Sequence, residues 1–179
     1  TIMPPGAMEE RLFLEKCARC GECLKVCPNN AIHTYLFERG AENLWVPHLV
    51  MRTGYCEYGC NLCGKVCPSD AIEPLALADK RKLVIGIAVI DEKKCLPFKD
   101  GKNCAVCEEM CPVPAKAIRF RRKMGKRGEI RLPEVVEREC IGCGICENKC
   151  PVEGRSAIIV KGNPVQDFMK GKGGGFKHR

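Results

Sequence analysis

Sixteen cysteines fall into four groups of four along 179 residues, and no other feature limits the possible folds as strongly. The first group is Cys17, Cys20, Cys23 and Cys27, spaced C-x2-C-x2-C-x3-C. The second is Cys56, Cys60, Cys63 and Cys67, spaced C-x3-C-x2-C-x3-C. The third is Cys95, Cys104, Cys107 and Cys111, spaced C-x8-C-x2-C-x3-C. The fourth, Cys140, Cys143, Cys146 and Cys150, repeats the first spacing. Each fourth cysteine is followed by proline (Pro28, Pro68, Pro112, Pro151), and then by an Ala-Ile pair at 31–32, 71–72, 117–118 or 157–158. The intervening segments are 28, 27 and 28 residues long. One structural unit is therefore used four times.

The spacing points to metal chemistry. Two short gaps make the chain loop tightly round one centre, and Gly21, Gly142 and Gly144 permit the positive φ that such loops need. They also let backbone N–H groups approach the sulfurs. The third and fourth cysteines stand at i and i+4 and share a face of a helical turn. The first and fourth groups match the C-x2-C-x2-C-x3-C-P run of [4Fe–4S] proteins, in which the fourth cysteine ligates the other cluster of a pair. A disulfide framework would not need four copies of one spacing. Structural zinc is built on two separated C-x2-C hooks, not on four close cysteines and a terminal Cys-Pro. A radical-SAM hook resembles Cys56-x3-Cys60-x2-Cys63, but the chain has no room for the accompanying barrel. Four complete ligand sets imply four [4Fe–4S] clusters held by all sixteen cysteines. None of the sets has an open position for catalysis, so no catalytic residue is assigned.

Composition agrees. Of the 45% apolar residues, cysteine is a large part; without it the fraction is roughly 36%, below the usual 45–50%. Inorganic clusters would supply the missing core. The formal charge of +8 has the same origin, since each oxidised cluster with four thiolates carries −2 and four of them offset it. The fold class expected is α+β, as two ferredoxin-like (βαβ)2 units over residues 1–160, followed by a basic, glycine-rich tail at 161–179. Strands are expected at Leu83–Asp91, Ala117–Arg121, Arg131–Val136 and Ala157–Val160, with a hairpin turn at Met124–Gly128. Spacer lengths allow motif I to pair with II and III with IV, or I with IV and II with III.

Other residues carry less. His33, His48 and His178 stand at unrelated positions and read as surface or hairpin groups; Trp45 and Tyr55 read as packing residues. Lys116 to Arg131 holds eight basic residues and one acid, Glu129, a solvated hairpin first and a docking surface for an acidic partner second. No aromatic array stands beside it, so a nucleic-acid partner is not expected. The sequence has no apolar run long enough to span a membrane. It shows no signal peptide, which favours the cytoplasm, or the periplasm if an upstream export signal has been removed.

Pro4-Pro5-Gly6-Ala7-Met8-Glu9-Glu10, Phe13-Leu14 and Cys17-Ala-Arg-Cys20-Gly21 resemble the opening of the NapG/MauM-type ferredoxin family, as do Ile85–Val89 and the widened Cys95-x8-Cys104 loop. The resemblance spans residues 3–160. It departs at Met3, where the family has Arg, and in motif II, where exported nitrate-reductase members have C-x2-C-x4-C-x3-C. What it implies is a non-catalytic electron-transfer subunit. Its partners would be a large bis-pterin tungsten or molybdenum oxidoreductase subunit, such as an aldehyde oxidoreductase, and a soluble ferredoxin or membrane redox carrier. The alternative is an exported member passing electrons from a quinol-oxidising partner to a periplasmic reductase. Related four-cluster subunits are nested, which favours pairing I with IV and II with III.

Overall fold

A computed structural model describes residues 1–125 and 128–162. Seven short helices and six short strands alternate along it: α1 (Glu10–Lys16), α2 (Glu22–Val26), β1 (Ile32–Thr34), β2 (Pro47–Leu49), α3 (Leu62–Lys65), α4 (Leu77–Lys80), β3 (Gly86–Ile90), α5 (Leu96–Asp100), α6 (Val106–Glu109), β4 (Ile118–Gly125), β5 (Gly128–Val135), α7 (Ile145–Asn148) and β6 (Ile158–Gly162). The α+β class expected from sequence is what is found. The longest helix has 7 residues, far below the ~12–15 at which a helix is even marginal alone. These helices exist because tertiary contacts hold them.

The strands form three two-stranded antiparallel sheets, β1–β2, β3–β6 and β4–β5. β3 precedes motif III and β6 follows motif IV, so their pairing (Ile90 opposite Ile158) closes the second half of the chain around both motifs. The first half has a reduced counterpart. Ala7 bridges Ile72, with Met8 N–H on the Ala71 carbonyl at 3.1 Å and Glu73 N–H on that of Gly6 at 2.8 Å. Within each half a hairpin, β1–β2 or β4–β5, links one motif to the next.

The Ala-Ile pairs are the core of every repeat. All eight residues are buried, packed with Phe13, Leu49, Met51 and Ile85. The residue before the alanine takes a left-handed conformation in three repeats, at Asn30, Asp70 and Lys116 (φ 49°, 53° and 50°). Asn and Asp tolerate that region better than most side chains. In the first two of these repeats the turn it closes directs an N–H group, of Ala31 or Ile72, back at the motif's fourth cysteine.

Strand limits differ from expectation at the ends. Leu83 is not yet extended, because its N–H completes the α4 turn on the Asp79 and Lys80 carbonyls. β4 and β5 run further into the hairpin than expected, to Gly125 opposite Gly128; the turn residues 126 and 127 lie outside the described residues. Lys161 and Gly162, read as the start of the tail, belong to β6 and pair with Ile87 and Gly86; 163–179 lie outside the described residues. His33 and His48, which looked unrelated in sequence, are cross-strand partners in β1–β2, and His48 stacks on Tyr35 with ring centroids 3.7 Å apart.

Several contacts join the halves at motif level, among them Lys149 over the Tyr55 ring (5.6 Å). The Cys56 N–H donates to the Cys143 carbonyl at 2.8 Å. Arg52 reaches across to motif IV, where its Nη1 donates to the carbonyls of Glu147 and Cys150 and to Ser156 Oγ, and its Nη2 to the Val152 carbonyl, all at 2.9–3.2 Å. Asn148 Nδ2 returns a bond to the Arg52 carbonyl at 3.1 Å.

Candidate metal centres

The sixteen cysteines gather by half. Cys17, Cys20 and Cys23 of motif I line one cavity with Cys67, the fourth cysteine of motif II. Cys95, Cys104 and Cys107 of motif III line a second with Cys150 of motif IV. Cys140, Cys143 and Cys146 of motif IV line a third with Cys111 of motif III. Counted to their open mouths, these spaces measure about 380, 380 and 330 Å³. The remaining four sulfurs are also neighbours: besides Lys80, Cys56 feels Cys60 and Cys27, and Cys63 feels Cys56 and Cys60 and, more weakly, Cys23 of the first set. In each set three cysteines come from one motif and the fourth from its companion. α2 packs on α3, and α6 on α7, so motif I sits against II and III against IV. This packing is sequential, not the nested order that the resemblance favoured. The spacers between motifs I and II and between III and IV each form a hairpin, β1–β2 or β4–β5, and bring the next motif back against the one before it.

Local structure explains how each set is held. Gly21 (φ 77°) and Gly144 (φ 82°) stand in the left-handed region and start α2 and α7, which carry the third cysteine in the first turn and release the fourth beyond the end. Motifs II and III have Asn61 (φ −140°) and Ala105 (φ −117°) at that place; neither needs glycine because neither is left-handed. The widened gap of motif III holds α5, which ends at Gly101 (φ 64°). Asn103 then fastens the loop to β5, accepting from Arg131 N–H at 2.8 Å and donating to the Glu129 carbonyl at 3.2 Å.

The sulfurs are supplied with donors. Ala31 N–H points at Cys27 Sγ (3.3 Å), Ile72 N–H at Cys67 Sγ (3.5 Å) and Ala88 N–H at Cys140 Sγ (3.5 Å). Without a cation the thiolates are disfavoured: burial first, then neighbouring sulfurs, push the thiols of Cys23, Cys63, Cys107 and Cys143 up to about 12. Cys146 moves the same way for the same reasons. At Cys67 burial works upward too, but N–H groups of Ile72, Ser69 and Ala71 and the Ser69 hydroxyl outweigh it and the thiol ends below its ordinary value. Sixteen thiols placed in fours, with backbone donors aimed at sulfur, suit a polynuclear centre that brings its own positive charge. Among the described residues no three His, Cys, Asp or Glu side chains close on one point as a single metal ion requires. Four sulfurs on one zinc ion would lie only about 3.8 Å apart, whereas a four-iron core binds each thiolate at its own iron and spreads them wider.

One buried and one half-buried cation were not foreseen. Lys80 is 4% exposed and its Nζ donates to the Glu57 carbonyl. Its immediate neighbours Asp79, Arg81 and Lys82 are charged too, and nothing in the sequence sets Lys80 apart from them. Arg52 lacked any sequence signal. Lys116, counted in the basic stretch, instead caps α6 through the carbonyls of Glu108, Glu109 and Cys111 at 2.9–3.1 Å. Arg121 pairs with Glu134 and Arg122 with Glu129 across the hairpin, while Arg119 and Lys123 are exposed. Trp45 is exposed and borders the cavity of Cys20; it is not the packing residue expected.

Among the described residues no helix is long and apolar enough to cross a membrane. The 4Fe-4S dicluster domain family matches residues 16–71 and 102–153, one block in each half. The methylamine utilization ferredoxin-type protein MauM of Methylophilus methylotrophus is 35% identical over 143 residues, covering 79% of this chain and 62% of that protein. The ferredoxin-type protein NapG of Escherichia coli is 36% identical over 149 residues, with the same coverage, and NapG of Haemophilus influenzae is 32% identical over 147 residues, covering 52% of that protein. The chain thus spans about three-fifths or less of the length of these relatives. The chain belongs to the 4Fe-4S dicluster domain family and, within it, to the NapG/MauM type of ferredoxin.

Proposed function

We propose that the chain is a four-cluster electron relay, organised as two (βαβ)2 dicluster units. The ligand sets would be Cys17, Cys20, Cys23 and Cys67; Cys27, Cys56, Cys60 and Cys63; Cys95, Cys104, Cys107 and Cys150; and Cys111, Cys140, Cys143 and Cys146. The observation that carries this reading is the gathering of cysteines from two motifs around shared cavities, supported by two family matches of which each spans parts of two motifs. When bound, each cluster supplies a one-electron redox couple. The chain's part is to hold thiolates rigidly, to direct N–H donors at them, and to keep the sites at fixed spacing through the Cys56–Cys143 and Arg52 contacts. Small geometric change on reduction is what fast electron transfer requires, and a backbone pinned on both sides of each site provides it.

The proposed partners are a bis-pterin tungsten or molybdenum oxidoreductase subunit of the aldehyde-oxidising type and an external carrier such as a ferredoxin, in the cytoplasm; the C-x3-C-x2-C-x3-C spacing of motif II supports this choice. The kinship with NapG of Escherichia coli supports a second reading, an exported ferredoxin between a quinol-oxidising membrane partner and a periplasmic reductase. Anaerobic analysis of the isolated chain is expected to give iron and labile sulfide near sixteen each, with reducible EPR signals. Zinc without sulfide would overturn the reading. Native co-purification separates the two partner assignments: a pterin-containing aldehyde oxidoreductase supports the first, a nitrate reductase or quinol oxidase the second.

A further inference from the structure

We infer that the Lys80 ammonium raises the reduction potential of the cluster ligated by Cys27, Cys56, Cys60 and Cys63; this rests on the four-cluster reading above. A fully buried lysine is rare unless its charge is matched. Lys80 ends α4, in the segment joining the halves. Its neighbours Arg81 and Lys82 are exposed, but its own side chain folds back beneath motif II. There its Nζ donates to the carbonyl of Glu57, the residue after ligand Cys56. None of the described carboxylates forms an ion pair with it. The group that its charge does reach is the Cys56 sulfur, where it acts against the upward push of burial. The counter-charge in this pocket is therefore thiolate.

The sign of the effect follows. An oxidised [4Fe–4S] centre with four thiolates carries −2 and the reduced centre −3, so a fixed positive charge beside a ligand sulfur favours the reduced form. Burial strengthens the interaction, because solvent does not screen it. Among the described residues Arg19 also acts on a cysteine sulfur, that of Cys17, but its side chain is exposed to solvent, and Arg52 and Lys116, which bind the carbonyls of Cys150 and Cys111, are less buried than Lys80.

The test is anaerobic redox titration followed by EPR on wild type, Lys80→Gln and Lys80→Met. Gln keeps a donor for the Glu57 carbonyl without the charge; Met keeps neither. Cys56→Ser, which substitutes an oxygen ligand, marks the signal of the cluster concerned. Both neutral variants are expected to lower that one midpoint by about 59 mV, a tenfold change in its reduced-to-oxidised ratio, and to leave the other three in place. An unshifted midpoint in Lys80→Gln, with four clusters present, overturns the inference even if Lys80→Met loads poorly, since the lysine then serves only the carbonyl. A shift in a signal other than the one marked by Cys56→Ser also overturns it. A wild-type chain without iron and sulfide would instead overturn the four-cluster reading itself.

Discussion

Arg52→Ala removes the strongest polar contact between the two halves. The guanidinium makes four hydrogen bonds, three to carbonyls in or just after α7 and one to Ser156 Oγ. Hydrogen bonds from a charged donor contribute about 1.5–3 kcal/mol each when nothing replaces them. This site is half-buried, so water recovers part of the loss, and a total of about 3 kcal/mol remains. At 1.4 kcal/mol per tenfold that is roughly a 150-fold rise in the opening equilibrium of the loop from Glu147 to Ser156. Native-state hydrogen exchange read by mass spectrometry on the anaerobic, loaded protein measures it, with peptides from this loop gaining exchange while those from β4 and β5 serve as controls. Arg52→Lys keeps the charge but not the planar fork that spans several carbonyls, and is expected to recover less than half of the loss. If exchange in the loop of Arg52→Ala stays within threefold of wild type, the network does not hold motif IV and the argument fails.

Three further outcomes are expected. Cys67→Ala removes iron from the site of Cys17, Cys20 and Cys23, and Cys27→Ala from that of Cys56, Cys60 and Cys63. Each loses about four irons per chain, and EPR of the two variants should show different signals missing; the same signal missing in both would refute the exchange of fourth ligands. Gly142→Ala is costly on two counts, φ 73° and a Cβ pressed into the Gly86 backbone, together about 3 kcal/mol or more, whereas Gly21→Ala (φ 77°, open space around the Cβ) incurs only the backbone cost of about 1–2 kcal/mol; anaerobic chemical unfolding compares them. Cluster retention should fall as pH falls, not as it rises, since protons compete with iron for thiols that burial holds as high as about 12; bleaching of the visible absorbance between pH 8 and pH 5 measures this.

What was legible in the sequence lay in the repeat. The Cys-Pro and Ala-Ile spacing located the cysteines that gather around the cavities and the eight buried core residues, because both depend on turns a few residues long. The glycines were legible for the same reason: positive φ at residues 21, 142 and 144 is a local demand. Which motif accompanies which was not, since both orders satisfy the spacer lengths and only the hairpin return at β1–β2 and β4–β5 separates them. Arg52 and Lys80 were out of reach, as a buried cation is written like a solvated one and its partners lie 23 to 104 residues away. The pairing of His33 with His48 needed a register that Leu44 to Leu49 does not announce, with Pro47 inside the strand.

These features make folding and cofactor binding one equilibrium. Among the described residues no helix exceeds two turns and no sheet exceeds two strands, and the apolar core is made largely of alanine, isoleucine and cysteine. Each element alone is marginal. Buried thiols bear no charge until a cation arrives, and then they become cross-links between segments distant in sequence. In the proposed ligand sets Cys67 stands with motif I and Cys27 with motif II, so neither motif would complete its site alone. On that reading a lesion in one would be transmitted to the other through a ligand, while the second half, with its own exchange of Cys111 and Cys150, would feel it through the contacts between the halves, among them Cys56–Cys143, Arg52 and Lys149 over the Tyr55 ring. Cooperativity should therefore be strong within a half and weaker between halves, a hierarchy set by where the fourth cysteines go.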